Sequence, residues 1–285
     1  MSSLAVCCGD RQVLTWGKRT YIMGILNVTP DSFSDGGQYF DLASAIAQGQ
    51  KLVAEGADVL DIGGQSTRPG ATIVPLAEEL RRVIPVVKAL APIVNVPISI
   101  DTTRSVVAAE ALAAGATWVN DVSGGTDDPE LLPVVARSGA TVVLMHRRGN
   151  PQTMQSLTDY DDLIGEVHEF LARQRDKAQQ LGITQIILDP GIGFAKNTEQ
   201  NVTLLRELSR FRDLNCPLLV GPSRKSFIGH ILNQPDPQQR VWGTAAACCA
   251  AIAHGADIVR VHDVAAIRQV VQVADAIWRG HGGVS

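Results

Sequence analysis

The segment V-A-E-G-A-D-V-L-D-I, Val53 to Ile62, contains the unit from which most of the chain is built. A helical pattern stops at Gly56, and an apolar run of strand-forming residues follows it. Glycine suits the stop because a helix often ends in a left-handed residue, a conformation that costs glycine little. The junction recurs along the chain, at Gly115-Ala116, Gly139-Ala140 and Gly255-Ala256, and Gly182 repeats it without the alanine.

This repeat predicts eight strands separated by helices. The strand candidates are residues 21–26, 58–62, 97–100, 117–120, 141–145, 185–188, 217–220 and 257–261. Most are apolar throughout, as expected for parallel strands that are buried on both faces. Asp41 and Asp263 are expected to cap two of the helices. The fold class is therefore α/β, a (β/α)8 TIM barrel with a short amino-terminal hairpin. An open doubly wound sheet is the alternative, but no G-x-G-x-x-G turn follows the first strand.

Length and composition agree with one such barrel. A barrel needs roughly 250 residues, and the chain has 285. We expect a single domain over residues 1–285 with its core at about 12–280. The net charge of −4 argues against nucleic acid or an acidic membrane surface as a partner. Five cysteines without C-x-x-C spacing and no recognisable signal peptide favour a cytoplasmic protein with reduced thiols.

Polar or loop-forming residues follow nearly every predicted strand. In parallel barrels these strand ends meet at one face, which carries the active site. Some of the residues could serve only as helix caps, Asp61 and Asp121 above all. The set consists of Asn27, Asp61, Asp101, Asn120, Asp121, His146, Asp189, Gly221 and His262.

Two connections, residues 27–37 and 63–70, exceed the usual βα loop of about 2–6 residues. Their Gly, Pro, Ser and Thr content suits loops that close over a substrate. The last strand places Arg260 and His262 two residues apart and so on one face. Together with Arg68 they predict a cationic pocket for phosphate oxygens. A purely structural, salt-bridged Arg260 is the alternative.

A second group of residues suits a flat heterocycle. Asp101, Asn120 and Asp189 in one barrel mouth could accept hydrogen bonds from ring N–H groups, and Lys225 could complement the acceptor edge. No lysine lies in the sixth strand, which argues against a Schiff-base aldolase. No His-x-His or H-E-x-x-H pair supports a zinc hydrolase.

Five segments closely resemble the dihydropteroate synthase family, and the resemblance runs from about residue 12 to the end. They are M-G-I-L-N-V-T-P-D-S-F-S-D-G-G (23–37), D-I-G-G-Q-S-T-R-P-G (61–70), D-P-G-I-G-F-A-K (189–196), G-P-S-R-K-S (221–226) and R-V-H-D-V (260–264). The resemblance implies a transferase of folate biosynthesis. Such an enzyme condenses (7,8-dihydropterin-6-yl)methyl diphosphate with 4-aminobenzoate and releases 7,8-dihydropteroate and pyrophosphate, with Mg2+ as cofactor.

The same resemblance implies roles for individual residues. Asn27 would ligate Mg2+ and contact the diphosphate, whose oxygens would be held by Arg68, Arg260 and His262. The pterin would be bound by Asp101, Asn120, Met145, Asp189 and Lys225. The 4-aminobenzoate would be framed by Phe33, Thr67, Pro69, Phe194 and Ser226. Catalysis would depend on Asp101, Arg68, Arg260, His262 and Lys225. The chain departs from the family at Gln65, commonly Glu, and at Arg147-Arg148, where an apolar-containing pair is more usual.

Two other functions stay open on the residues alone. A pterin-dependent methyltransferase would use similar Asp and Asn residues, but no D-x-H-x-x-G cobalamin motif occurs here. A non-catalytic pterin-binding protein would have no use for the diphosphate pocket. The family also implies a homodimer, for which the small-residue helix over residues 244–253 is a candidate contact surface.

Overall fold

The structure is a computed structural model that describes residues 5–6, 14–29, 42–66, 70–72 and 74–280. Two short strands precede the repeat, β1 (Ala5–Val6) and β2 (Leu14–Thr15), and they pair in antiparallel fashion as the predicted hairpin. The eight repeat strands are β3 (Tyr21–Asn27), β4 (Val59–Gly63), β5 (Ile98–Asp101), β6 (Trp118–Asp121), β7 (Thr141–Met145), β8 (Ile186–Asp189), β9 (Leu219–Val220) and β10 (Ile258–Val261).

Nine α-helices follow these strands within the described residues, one after each strand except β9, which two helices follow. They are α1 (Leu42–Ala54), α2 (Leu76–Leu90), α3 (Ser105–Ala113), α4 (Leu131–Ser138), α5 (Leu163–Gln180), α6 (Thr198–Arg206), α7 (Ser226–Leu232), α8 (Val241–Ala253) and α9 (Val264–Trp278). None is long and apolar enough to cross a membrane.

The eight strands close into a barrel. They are parallel neighbours in the order β8-β7-β6-β5-β4-β3-β10-β9. The last gap is bridged where Leu188 pairs with Leu218 and donates its backbone N–H to the Pro217 carbonyl at 2.9 Å. This closure confirms the predicted barrel and rules out the open sheet.

The glycine stops also hold. Gly56, Gly115, Gly139 and Gly255 have φ angles of 105°, 111°, 69° and 96°, in the left-handed region that glycine adopts without strain.

One predicted cap is wrong. Asp263 precedes α9, but its carboxylate accepts no helix N–H and binds the Arg224 guanidinium instead. The other, Asp41, lies outside the described residues.

Strand alternation divides the barrel interior into two layers. The lower layer is apolar and packs against Leu14 of the hairpin, which therefore seals the amino ends of the strands; its members are Tyr21, Met23, Val59, Trp118, Val143, Ile187, Leu219 and Ile258. Two residues further along several strands the inward positions become polar, as at Asp61, Asn120, Asp189 and Arg260. A larger apolar cluster fills the space between the strands and the helices. The polar layer thus lies directly above an apolar layer, at the carboxyl ends of the strands.

Candidate active site

Strand register brings several predicted site residues to one level. Asn27 lies opposite Gly63, Gly63 opposite Asp101, and Asp101 opposite Asn120, across four neighbouring strands. On the far side of the mouth Met145 lies opposite Asp189. The predicted residues of β3, β5 and β6 therefore share one row, which faces the barrel axis.

An ionic centre lies just beneath this row. Arg260 donates from Nε to Asp61 Oδ2 at 2.6 Å and from Nη2 to Asp101 Oδ2 at 2.7 Å. Asn120 Nδ2 donates to the same Asp61 oxygen at 3.0 Å. A guanidinium has five N–H donors, and these two bonds leave three of them for a ligand. The salt bridges and a role in anion binding are therefore compatible.

Burial shifts the charge balance of this centre. It raises the pKa of Asp101 to about 7, against the opposing influence of Arg260 and with a further upward contribution from Asp61. Asp101 therefore changes its protonation near neutral pH.

The opposite wall of the mouth joins Asp189, Lys225 and Phe194. Asp189 is buried and accepts the Gly191 N–H at 2.7 Å. Lys225 lies 4.4 Å from the centre of the Phe194 ring and donates to the Ile192 carbonyl. Burial raises the pKa of Asp189, an effect that Lys225 opposes, and burial lowers the pKa of Lys225 to about 8. A charged edge thus borders an apolar wall, which Met145 forms with Val122, Met154, Phe194 and Ala195.

A buried lysine shapes the segment behind this wall, and the sequence reasoning did not single it out. Lys196 Nζ lies 2.9 Å from His146 Nδ1, 3.1 Å from the Gly191 carbonyl and 2.9 Å from the Phe194 carbonyl. The signal was present, because Lys196 ends the D-P-G-I-G-F-A-K segment. Burial lowers the pKa of His146 to about 2, so this ring is neutral.

His262 and Ser226 lie at the rim. His262 is half-buried; its Nδ1 lies 3.0 Å from Ser223 Oγ, and its backbone N–H donates to that same hydroxyl at 3.2 Å. Ser226 is exposed at the first position of α7. Both residues therefore border the mouth near Lys225.

Four predicted site residues, Phe33, Thr67, Arg68 and Pro69, lie outside the described residues. The chain on either side of the last three is tied down. Arg82 Nη1 donates to the Gly64 carbonyl at 2.9 Å, and the Gly70 N–H donates to the Pro151 carbonyl at 2.9 Å. Gln65, where the family commonly has Glu, accepts the Val74 N–H at 3.2 Å.

The second departure from the family is neutralised by local partners. Arg147 forms an ion pair with Asp127. Arg148 lies 3.7 Å from the centre of the Tyr160 ring and pairs with Glu166. The two arginines therefore add no unpaired charge beside His146.

The two carboxylates named as possible caps have separate fates. Asp121 accepts bonds from Ser123 N at 2.8 Å and from Ser123 Oγ at 2.6 Å, and it also accepts the Gly125 N–H, so it caps its own loop. Asp61 instead faces Arg260 and Asn120. Its signal in the sequence was its position two residues before Gly63, on the inward face.

A parallel barrel with one polar mouth of this composition belongs among the pterin-binding enzymes. A sequence profile described as pterin binding enzyme matches residues 23–262. The dihydropteroate synthase of Synechocystis sp. is 64% identical over 266 residues, which cover 93% of this chain and 92% of the relative.

Solved structures agree. The Xanthomonas albilineans dihydropteroate synthase with 4-aminobenzoic acid is 46% identical, with a TM-score of 0.90 and coverage of 97% of this chain and 98% of that one. A structure of the same organism's enzyme in complex with 7,8-dihydropteroate is 43% identical, with a TM-score of 0.84 and coverage of 93% and 95%. The chain belongs to the dihydropteroate synthase family, which confirms the resemblance in the motifs and the barrel fold.

Proposed function

We propose that this chain condenses (7,8-dihydropterin-6-yl)methyl diphosphate with 4-aminobenzoate to form 7,8-dihydropteroate and pyrophosphate. The observation that carries the proposal is the ionic centre of Arg260, Asp61 and Asp101, next to Asn120 and opposite Asp189. It provides cationic donors for a leaving diphosphate and acidic acceptors for a pterin within a single mouth. One solved structure of a related enzyme contains 4-aminobenzoic acid and another contains 7,8-dihydropteroate, which suits the same substrate and product here.

In this proposal the pterin lies between the two walls of the mouth. Asp101, Asn120 and Asp189 accept from its ring N–H groups, and Lys225 donates to its acceptor edge. Met145 supplies an apolar surface beside the ring. The aminobenzoate lies toward Phe194 and Ser226, with Phe33, Thr67 and Pro69 on the outer side.

The diphosphate is assigned to the remaining donors of Arg260, to His262, Asn27 and Arg68. Mg2+ fits the donor chemistry of this place, because a half-buried amide oxygen of Asn27 is available at the end of β3. The described residues contain no cluster of three acidic, His or Cys side chains that could form a cage. Mg2+ commonly takes one or two protein ligands and completes its shell with substrate phosphates and water. When bound, it would supply positive charge to the diphosphate oxygens.

The chemistry then requires little proton transfer from the protein. The bond between the pterin methylene and the diphosphate oxygen breaks, and its electron pair leaves with pyrophosphate. The amino nitrogen of 4-aminobenzoate bonds to that methylene and loses one proton to water. Arg260, Arg68 and His262 stabilise the departing negative charge, and Lys225 supports the bound pterin. The Asp101 carboxylate stabilises the positive charge that develops on the pterin side. An aromatic amine is unprotonated at neutral pH, so no dedicated general base is needed.

The decisive experiment is release of pyrophosphate by the purified chain with Mg2+. We expect release only when both substrates are present. A non-catalytic pterin-binding protein would release none, and a methyltransferase would instead transfer a methyl group to a corrinoid. Absence of release with both substrates would refute the proposal.

We further propose a homodimer that acts in the cytoplasm. The outward face of α8 carries Trp242, which is 79% exposed, and neighbouring α9 exposes Val273 and Ile277 at 61% and 63%. Exposed large apolar side chains on two neighbouring helices favour a partner surface. The small residues Thr244, Ala247 and Ala251 of α8 pack inward, so the contact would use its opposite side. Replacement W242E should shift sedimentation from dimer to monomer, and an unchanged dimer would contradict this surface.

A further inference from the structure

Asp61 is fully buried, yet its carboxylate accepts hydrogen bonds from only two side chains among the described residues. Oδ2 accepts from Arg260 Nε at 2.6 Å and from Asn120 Nδ2 at 3.0 Å. Oδ1 finds no hydrogen-bond donor in the part of the chain that the structure describes. A buried carboxylate is costly unless it is paired and hydrogen-bonded, so a residue that leaves one oxygen unmatched needs a reason.

Other buried aspartates of the barrel show what a structural role looks like. Asp121 is equally buried, and its three hydrogen bonds all go to its own loop, at Ser123 and Gly125. Asp58 accepts the Ile22 backbone N–H at 2.9 Å and ties Arg19 to the barrel wall. Asp61 makes no hydrogen bond to any described backbone N–H. Within the described part of the chain its hydrogen bonds go only to two side chains that face the mouth, Arg260 and Asn120.

The contact with Asn120 fixes which end of that amide faces the ligand. An ionised carboxylate can only accept hydrogen bonds, so the amide must turn its Nδ2 group toward Asp61. Oδ1 of Asn120 is then turned away from Asp61, and this oxygen can only accept a hydrogen bond. Asn120 thereby offers an acceptor to a ligand donor such as a pterin N–H group.

The contact with Arg260 acts in a comparable way. Asp61 holds Nε, and Asp101 holds Nη2, so the plane of the guanidinium is fixed by two carboxylates from adjacent strands. Asp101 is 8% exposed and can turn to a ligand, whereas Asp61 is sealed at 0%. Asp61 is therefore the permanent partner of Arg260, and Asp101 the exchangeable one.

We propose that Asp61 is a positioning residue for the reaction proposed above. It presents Asn120 as a hydrogen-bond acceptor to the pterin and keeps Arg260 directed at the diphosphate, without touching either substrate. The proposal rests on the proposed function. It adds one residue that orients both the pterin-binding Asn120 and the diphosphate-binding Arg260.

The test compares D61N with D121N, a control that loses the same charge from an equally buried position outside the mouth. We expect D61N to lower kcat/KM for the pterin diphosphate by about 10- to 100-fold, the loss typical of removing hydrogen bonds to a charged group. KM for 4-aminobenzoate should hardly change. Binding of 6-hydroxymethylpterin, which lacks the diphosphate, should also weaken in calorimetry, because Asn120 becomes free to flip. D121N should lower the unfolding midpoint without a selective change in either KM.

Several outcomes would overturn the proposal. One is a wild-type kcat/KM in folded D61N. Another is that D61N and D121N change KM for the pterin diphosphate and KM for 4-aminobenzoate to the same extent. A cycle with N120A adds a second readout, since the effect of D61N on 6-hydroxymethylpterin affinity should shrink when Asn120 is already absent. Full additivity would contradict action through Asn120.

If D61N fails to fold, D61E retains the charge and displaces the carboxylate by one methylene group. An unchanged kcat/KM for the pterin diphosphate in folded D61E would then overturn the proposal. Inactivity of the wild-type chain would count against the proposed reaction itself. The affinity for 6-hydroxymethylpterin in wild type and D61N would still test whether Asp61 orients Asn120.

Discussion

Replacement of Arg260 by alanine tests the ionic centre most directly, since Arg260 holds two buried carboxylates at 2.6 and 2.7 Å. Removal of one member of a buried pair costs about 3–5 kcal/mol, because the remaining charges are left uncompensated. The side chain of Arg260 is 21% exposed, so we expect the lower end of this range. A domain with a stability of about 5–15 kcal/mol survives such a loss. Arg260→Ala should therefore fold, with a reduced free energy of unfolding and with most of the activity lost.

The loss should also depend on pH, with a sign that follows from Asp101. Its pKa is raised to about 7 in the folded chain, and Arg260 is the influence that opposes a further rise. Without Arg260 the pKa of Asp101 moves higher, so the folded variant keeps its proton over a range where the wild type has released it. A protein with a carboxyl group whose pKa is raised on folding loses free energy of unfolding as pH rises from the unfolded pKa of that group to its folded pKa. The variant should thus lose about 1.4 kcal/mol more for each unit of further rise.

Urea unfolding of both proteins at about pH 6 and about pH 8.5 measures this difference. The gap between wild type and Arg260→Ala should be larger at the higher pH. Arg224→Ala is the matched control, because Arg224 is 25% exposed and pairs with one partly exposed carboxylate, Asp263. Its effect should be about 1 kcal/mol or less at both pH values. An equal gap at both pH values in Arg260→Ala, or near-normal turnover of that variant, would refute the reasoning.

Three further predictions concern the rest of the mouth. If the ionised Asp101 and the protonated Lys225 are both required, kcat/KM for the pterin diphosphate should depend on pH as a bell. It should rise near pH 7 as Asp101 ionises and fall near pH 8 as Lys225 loses its proton. A flat profile across that interval would contradict this requirement. Lys196→Met should raise KM for 4-aminobenzoate, because Phe194 loses the amino group that holds its carbonyl at 2.9 Å. An unchanged KM in the folded variant would argue against it. Asp189→Ala should weaken pterin affinity in calorimetry, and unchanged affinity would remove Asp189 from the pterin site.

The barrel was predictable from the sequence because its signals are local. Each strand is a short apolar run, and each glycine stop is one residue whose φ angle has a single simple explanation. The failed cap at Asp263 shows the limit of such signals. A capping propensity competes with any partner that the fold brings near, and here the Arg224 guanidinium provided the stronger contact.

The contacts within the mouth were not predictable, because they join distant parts of the chain. Arg260 meets Asp61 across 199 positions and Asp101 across 159. The sequence placed these residues at strand ends that meet at one face of the barrel, but it contains no information on which carboxylate pairs with which cation. Asp61 was therefore named only as a strand-end residue that could cap a helix, and Lys196 was not singled out. Each acquires its significance from a partner far away in sequence, Arg260 for one and His146 for the other.

The apolar lower layer of the barrel shifts the pKa values of the few charged groups above it. Burial moves Asp101 and Lys225 toward their neutral forms from opposite directions, to about 7 and about 8. Both groups therefore titrate close to physiological pH. A diphosphate favours the protonated Lys225, and ring N–H donors favour the ionised Asp101. In the proposed function the substrates themselves thus complete the charge separation that the reaction uses, and Arg260, held by Asp61, is the charge already in position when they arrive.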